Sequence, residues 1–199
     1  MAAVMVARQG RELQRYSDST GGRIVVGCIP YRLRAGGEVE VLVISSQKKG
    51  PAGGVLIPKG GWELDESMDE AARREAAEEA GVVGETGPAL GRWCYRSRSY
   101  DATYEGFVLP LRVTAELERW PEMGARRREW VSPAEAVARC PHAWMREALQ
   151  RFAGTVVAGA GATAAPNFVR RMSMLRCSSS LDAEVEERGA DLRGKRFGR

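Results

Sequence analysis

Three glutamates within a short alanine-rich segment are the residues of this chain most suited to chemistry. Glu75, Glu78 and Glu79 lie at positions i, i+3 and i+4, so on a helix their carboxylates share one face. Like charges on one helix face are destabilising without a partner. A hard divalent cation is a natural partner, because Mg²⁺ takes oxygen ligands and is usually completed by phosphates. The alternative is a solvated acidic face on which Arg73 and Arg74 form ion pairs.

The residues around these glutamates predict a helix with well-defined ends. Ser67 or Asp65 can cap its start, and Glu70 follows Ser67 by three residues, the spacing of a capping box. Alanines fill the interior and favour the helix. Gly81 suits the left-handed position that ends many helices. A glycine pair at 60–61 precedes the helix and lets the backbone approach a metal or phosphate closely.

The wider spacing of this segment resembles the signature of the Nudix hydrolases, which hydrolyse a diphosphate linked to a second group. The matched positions are Gly60, Glu66, Arg74, Glu75, Glu78, Glu79 and Gly81. Ala76 stands where the family usually has a larger aliphatic residue. Seven positions at one spacing are a far more specific signal than a lone glycine-rich motif. The resemblance covers about residues 6–152 and is closest to plant members near diphosphoinositol polyphosphate phosphohydrolases and dinucleoside polyphosphate hydrolases.

The resemblance implies an α+β fold, an α/β/α sandwich with a mixed β-sheet that carries the motif as loop, helix and loop. It also implies that Mg²⁺, or Mn²⁺ in its place, is held by Glu75, Glu79 and the carbonyl of Gly60. Glu78 would be the catalytic residue that accepts the proton of the attacking water. The resemblance also implies a structural salt bridge between Glu66 and Arg74, which would hold the loop of the motif against the helix.

Basic residues near the motif predict recognition of a small polyanionic substrate. A ring crowded with phosphates needs a rim of cations, whereas a nucleotide needs an aromatic slot, for which Trp93, Tyr95, Tyr100 and Tyr104 are candidates. The expected substrate-binding residues are Arg15, Arg23, Ser46, Gln47, Lys48, Lys59, Arg96, Arg98 and Arg126. We therefore expect a Mg²⁺-dependent hydrolase of diphosphoinositol polyphosphates or dinucleoside polyphosphates. Hydrolysis of ADP-ribose or NADH, and a catalytically silent Nudix binding module, are the alternatives.

Composition limits the other possibilities. The chain has 199 residues, 44% hydrophobic residues and a net charge of +4, which fits one domain with one core. The basic residues form no RNA-binding motif, and no apolar run is long enough to span a membrane. We therefore expect no nucleic-acid or membrane partner. We also expect a monomer. Four widely spaced cysteines predict reduced thiols in the cytoplasm or nucleus, with a mitochondrial presequence left open. The only histidine, His142, follows Cys140 and Pro141 at a predicted helix start, which favours capping or packing.

The order of elements predicts three regions. Residues 1–20 form a basic lead-in, either an unstructured arm or part of an anion site. The Nudix domain occupies 21–153, and a low-complexity tail, expected to be disordered, occupies 154–199. Within the domain, apolar and alternating runs predict strands at 23–32, 38–46, 55–58, 92–99 and 104–113, with a further short strand ending at 131. Two helices are expected after the motif, one from Ser132 and one over 141–152.

Overall fold

The computed structural model describes residues 7–8, 10–47, 50–97, 102–160 and 178–179. Its helices are α1 Met68–Glu75, α2 Pro133–Arg139 and α3 Ala143–Ala160, and a π-helical turn, Ala76–Ala80, continues α1. The described strands are β1 Arg23–Leu33, β2 Val39–Ser46, β3 Gly50–Leu56, β4 Lys59–Gly61, β5 Val82–Thr86, β6 Gly91–Ser97, β7 Ala102–Glu116, β8 Arg128–Val131 and β9 Ser178–Ser179. In this part of the chain, no helix is long and apolar enough to cross a bilayer.

Strands β1 and β7 form the centre of one mixed sheet. They run parallel, with Arg23 opposite Tyr104 and Tyr31 opposite Arg112. On its other edge, β1 pairs antiparallel first with β4 and then with β2, so this edge carries both the glycine turn and the predicted hairpin. β3 and β8 pair with β2, β5 and β6 pair with β7, and β9 pairs with β6. The short β4 is thereby fixed against β1, a central strand whose residues 25–30 are all buried.

Helices cover both faces of this sheet. Successive residues of a strand point to opposite faces. Cys28 of β1 faces α1: burial, and then the charges of Glu79 and Glu75, raise the pKa of its thiol. Tyr31 points the other way and contacts Phe152 of α3, with ring centroids 5.1 Å apart. The sheet therefore lies between α1 and α3, which confirms the α/β/α sandwich of the α+β class.

Helix α1 begins and ends as the sequence predicts. The Ser67 side chain accepts the backbone N–H of Glu70, and the Glu70 carboxylate accepts the backbone N–H of Ser67, which closes the capping box. A fully buried face of small residues packs α1 and the π turn on the sheet: Ala71, Ala72, Ala76 and Ala80. Gly81 ends the segment with φ 63°. A Cβ there would lie 2.5 Å from the Trp120 ring, so both conformation and space require glycine.

Several predicted boundaries are wrong, and those of the strands differ because pairing with distant strands leaves no signal in the local sequence. Helix α3 continues to Ala160 rather than ending at residue 152. Strand β3 begins at Gly50, before the strand predicted over 55–58, and Val82–Thr86 forms β5 against β7, where no strand was predicted. In the predicted tail, the two residues of β9 pair with β6 at Trp93 and Cys94. The rest of that region, 161–177 and 180–199, lies outside the described residues.

The cysteines also differ from the prediction of four reduced thiols. Cys28 and Cys140 are buried and form no disulfide, which agrees with the expectation of reduced thiols. Cys94 is disulfide-bonded, and Cys177 lies outside the described residues. Disulfide formation depends on two Cα atoms approaching within about 7 Å, which sequence spacing alone does not reveal.

Candidate active site

The three glutamates of the motif meet in one small polar cavity. Glu75, Glu78 and Glu79 have exposed fractions of only 7%, 6% and 6%, although carboxylates are almost never this buried without partners. All three line a cavity of about 150 Å³, together with Lys59 and the backbone of Gly60. The interpretation of these glutamates as a solvated acidic face is therefore wrong, and their burial requires compensating charge.

Gly60 is required by the position of Glu75. A Cβ at residue 60 would lie 2.2 Å from Oε1 of Glu75, a distance that side-chain atoms cannot tolerate. The carboxylate thus lies directly against the glycine backbone, which β4 holds on the central strand β1. The same pairing places Lys59 beside the helix, where its backbone N–H donates a 2.8 Å hydrogen bond to Oε2 of Glu79. Two motif residues expected to hold metal are therefore positioned by the turn that precedes the helix.

The salt bridge implied by the resemblance is present. Arg74 donates to both oxygens of Glu66, from Nε at 2.9 Å and from Nη2 at 2.6 Å. Its Nη1 donates to Glu75 at 2.6 Å, and its Nη2 also donates to the carbonyl of Gly61 at 2.8 Å. Because the Glu66 side chain is only 5% exposed, this bidentate pair lies in a largely desolvated place and fixes the loop to α1.

Burial and crowding shift the proton affinity of the three glutamates upward. Burial, then the charge of Glu79, raises the pKa of Glu75 to about 8, although Arg74 opposes the shift. Burial also raises the pKa of Glu79, against the opposing charge of Lys59, and raises the pKa of Glu78. Burial is the main cause of all three shifts, so a cation placed among these carboxylates would favour their charged forms.

The donor set fits a hard divalent metal ion. A carboxylate has about four lone-pair sites, and the hydrogen bonds to Glu75 and Glu79 leave several of them available in the cavity. Among the described residues, no three acidic, histidine or cysteine side chains already form a metal cage. Mg²⁺ does not need one, because it is commonly bound by one or two carboxylates, with water and substrate phosphates completing the shell.

The structure brings some of the predicted substrate-binding residues to this cavity. Lys59 and Arg23 line it, and Arg23 also lines a second cavity of about 430 Å³, at the entry of β1 and β7, with Tyr16 and Tyr104. Arg126 reaches Glu79 directly, with Nη2 2.5 Å from Oε1. Arg23 therefore lines both the small cavity that contains the glutamates and the larger cavity, which has the volume of a ligand site.

Other predicted residues lie elsewhere. Arg15 donates to the carbonyls of Glu63 and Leu64, each at 2.9 Å, and so holds the motif loop. Gln47 donates to Glu122 at 2.8 Å. Ser46, at the end of β2, and the exposed Arg96, on β6, line neither cavity. Two more expected residues lie outside the described ranges: Lys48 and Arg98.

Sequence reasoning assigned no role to several residues that complete the site. Gln14 is 6% exposed, and its amide donates to the carbonyls of Arg15, Ile24 and Trp62 while its Oε1 accepts from Arg23. The lead-in is therefore docked on the motif loop. Two further residues, Arg8 and Glu122, line the small cavity. Each donates its backbone N–H to Glu78, at 3.3 and 3.1 Å, from a distant part of the chain, so no local spacing indicates their place at the site.

A buried carboxylate cluster on a loop–helix–loop, held by a mixed sheet between helices, defines the class of protein. The NUDIX domain family model matches residues 22–152, and the chain belongs to the Nudix hydrolase family. It is a Nudix pyrophosphohydrolase, an enzyme that hydrolyses phosphorus-containing anhydrides, and members of the family generally use divalent metals.

Particular relatives are similar over most of this region. "Nudix hydrolase 21, chloroplastic" of Arabidopsis thaliana is 53% identical over 150 residues, covering 74% of each chain. "Diphosphoinositol polyphosphate phosphohydrolase 3-alpha" of Mus musculus is 34% identical over 125 residues, covering 62% of this chain and 72% of the mouse protein. The crystal structure of a C. elegans Ap4A hydrolase binary complex matches with a TM-score of 0.53 at 20% identity, over 68% and 98% of the two chains. This last likeness shows the fold alone.

Proposed function

We propose that the protein is a Mg²⁺-dependent hydrolase that cleaves the diphosphate linkage of diphosphoinositol polyphosphates, dinucleoside polyphosphates or both. The observation that carries this proposal is the convergence of Glu75, Glu78 and Glu79 on one polar cavity that shares Arg23 with a larger one. A metal-bound diphosphate fits the first cavity, and one of its two substituents fits the second, since 430 Å³ lies within the usual range of ligand sites.

The chain's residues divide the work of the reaction. Mg²⁺, when bound, neutralises the diphosphate and lowers the pKa of a coordinated water. Glu75 and Glu79 hold the metal, because each is fixed in place by a donor: Glu75 by Arg74 beside it on α1, and Glu79 by the backbone N–H of Lys59 in β4. Glu78 is the proton acceptor. It is the least engaged of the three, with the backbone N–H of Arg8 3.3 Å from Oε1 and Arg74 3.8 Å away, which leaves its carboxylate available to a water.

Cationic and aromatic groups in the larger cavity support the two substrate classes. Arg11 and Arg23 line it and suit the phosphates of an inositol ring. The mouse relative named above, by its name, acts on diphosphoinositol polyphosphates. Tyr16, which is 53% exposed, lines the same cavity with Tyr104, and an exposed ring is what a nucleotide base stacks on. This ring is the specific reason to keep dinucleoside polyphosphates as the second candidate.

A substrate panel tests the proposal. Purified protein with Mg²⁺ would be given an inositol pyrophosphate, a diadenosine polyphosphate, ADP-ribose and NADH, with Glu78→Gln as the inactive control. We expect the highest kcat/KM for one of the first two substrates and none without divalent metal. Preferred turnover of ADP-ribose or NADH would refute the substrate assignment. Binding without turnover of any substrate would support a silent Nudix module instead.

Partners and location are part of the same proposal. We propose a monomer whose partner is the small polyanionic substrate, without nucleic acid or membrane. Cytoplasmic or nuclear location remains our prediction. The mitochondrial alternative gains weight because relatives carry organelle names, such as "Nudix hydrolase 18, mitochondrial" of Arabidopsis thaliana, 53% identical over 151 residues.

A further inference from the structure

Arg126 connects three separate parts of the site. It lies just before β8, and its side chain is only 9% exposed. Its Nη2 donates to Glu79 and its Nε to Glu122, each at 2.5 Å, while its Nη1 donates to the carbonyl of Ser45 at 3.1 Å. All three nitrogens of the guanidinium are therefore used by groups from the helix, the preceding turn and the end of β2.

The contact with Arg126 completes the fixation of Glu79. One carboxylate oxygen accepts from Arg126, and the other accepts the backbone N–H of Lys59 at 2.8 Å. A carboxylate held at both oxygens by donors from two other elements cannot rotate freely. Its remaining lone pairs then have fixed directions, and Glu79 is one of the residues that line the small cavity.

The turn that carries Arg126 is itself anchored. The backbone N–H of Glu122 donates to the carbonyl of Glu78 at 3.1 Å. Ser45 exchanges two hydrogen bonds with Arg127: its N–H donates to the Arg127 carbonyl at 2.9 Å, and its Oγ accepts the Arg127 N–H at 3.0 Å. The guanidinium is thus held on a support that is bonded to both the helix and the sheet.

We propose that Arg126 is a positioning residue that orients Glu79 for the divalent metal, with Glu122 holding the guanidinium in place. This role rests on the proposed metal-dependent function and differs from the sequence-based prediction that Arg126 contacts substrate phosphate. Partners that orient metal ligands are worth about 10- to 100-fold in metal affinity. Removing Arg126 also removes the Coulomb repulsion between its positive charge and the metal ion, and this effect alone would tighten cation binding. The direction of the change therefore separates orientation from charge.

The test is calorimetric titration of Mg²⁺ into the full chain without substrate, for wild type, Arg126→Ala and Arg126→Lys. We expect the Kd for Mg²⁺ to rise about 10- to 100-fold in Arg126→Ala. Arg126→Lys keeps the charge but loses the planar fork that reaches two carboxylates, so its Kd should also rise, by about 10-fold. The control is Arg139→Ala, because Arg139 likewise bridges two glutamates, Glu129 and Glu135, but lies away from the cavity. Its Kd should equal that of wild type.

Each outcome of this titration either supports or overturns the positioning role of Arg126. An unchanged or lower Kd in Arg126→Ala overturns the positioning role, and so does wild-type affinity in Arg126→Lys. If Arg126→Ala raises the KM for substrate but leaves the Kd for Mg²⁺ unchanged, the phosphate-contact role is right instead. Should the alanine variant fail to fold by circular dichroism, the lysine variant carries the test. No Mg²⁺ binding by the wild type would defeat the proposed function itself, which is a different result from a variant that binds normally.

Discussion

In the absence of divalent metal, the stability of the protein should fall as the pH rises from about 5 to about 8. Burial and the charge of Glu79 raise the pKa of Glu75 to about 8 in the folded chain, from an ordinary value of 4.5. Between these values the folded state binds more protons than the unfolded state, so the free energy of unfolding decreases with pH. The stabilisation is complete below the unfolded pKa and is lost by the folded pKa.

The size of the effect follows from the two pKa values. Their difference of about 3.5 corresponds to at most about 5 kcal/mol, at 1.36 kcal/mol per pKa unit. For a chain of this size, 1 kcal/mol shifts Tm by about 2–4 °C. Tm should therefore fall by at most about 10–20 °C across this range. Burial shifts the pKa of Glu78 and of Glu79 in the same direction as that of Glu75, so these two groups reinforce the trend.

Differential scanning calorimetry at pH 5, 6, 7 and 8, once in EDTA and once in excess Mg²⁺, measures this effect. The metal binds the deprotonated carboxylates, so the Tm difference between the two conditions should grow with pH. Glu75→Gln removes the titrating group and should flatten the curve in EDTA. A flat curve for the wild type, or an equal slope in Glu75→Gln, would show that this carboxylate is not protonated in the folded protein and refute the reasoning.

Four further results are expected. Glu78→Gln should lower turnover about 10²-fold or more at unchanged circular dichroism, because it removes the proposed proton acceptor. Arg74→Ala should lower the free energy of unfolding by about 3–5 kcal/mol in urea titrations, because Glu66 is left buried without its partner. Lys59→Ala should raise KM for a polyphosphorylated substrate about 10-fold, and less at high salt. A chain shortened to end at Ala160 should keep its kcat and metal requirement, because the predicted tail contributes no motif residue.

Opposite outcomes are equally specific. Near-normal turnover in Glu78→Gln would move the proton acceptor to another glutamate. If the exposed Arg73→Ala control loses as much stability as Arg74→Ala, the buried ion pair between Arg74 and Glu66 is not the source of the stabilisation. If the increase in KM for Lys59→Ala does not depend on salt concentration, that would argue against a contact between Lys59 and a substrate charge. Loss of metal dependence on shortening would show that the tail completes the site.

The motif was predictable because its signals are local. The capping box, the alanine-rich interior, Gly81 and the carboxylate spacing all lie within one helix and its flanks, and the structure reproduces them. The helix over 141–152 was equally predictable, because the apolar residues of its buried face, among them Trp144, Leu149 and Phe152, repeat with the helical period.

The supporting contacts were not predictable, because they join distant parts of the chain. Gln14 is an ordinary polar residue in the sequence, and only the docking of the lead-in on the motif loop buries it. Arg15 and Arg126 were predicted to bind substrate because arginine suits phosphate. In the fold, backbone carbonyls and carboxylates take their donors first. Composition shows that an arginine can form hydrogen bonds and ion pairs, but it does not show which groups are its partners.

The parallel pairing of β1 with β7 also sets the order in which the protein can fold. Arg23 pairs with Tyr104, about 80 residues later, so the central pair cannot form until β7 has left the ribosome. At 5–20 residues per second, this is a wait of about 4–16 s. During that time the hairpin of β1 and β2 has an unpaired edge, and non-local pairing of this kind is slow and exposed to aggregation. Nascent chains should therefore depend on chaperones until residue 116 emerges, although the acidic helix is synthesised much earlier.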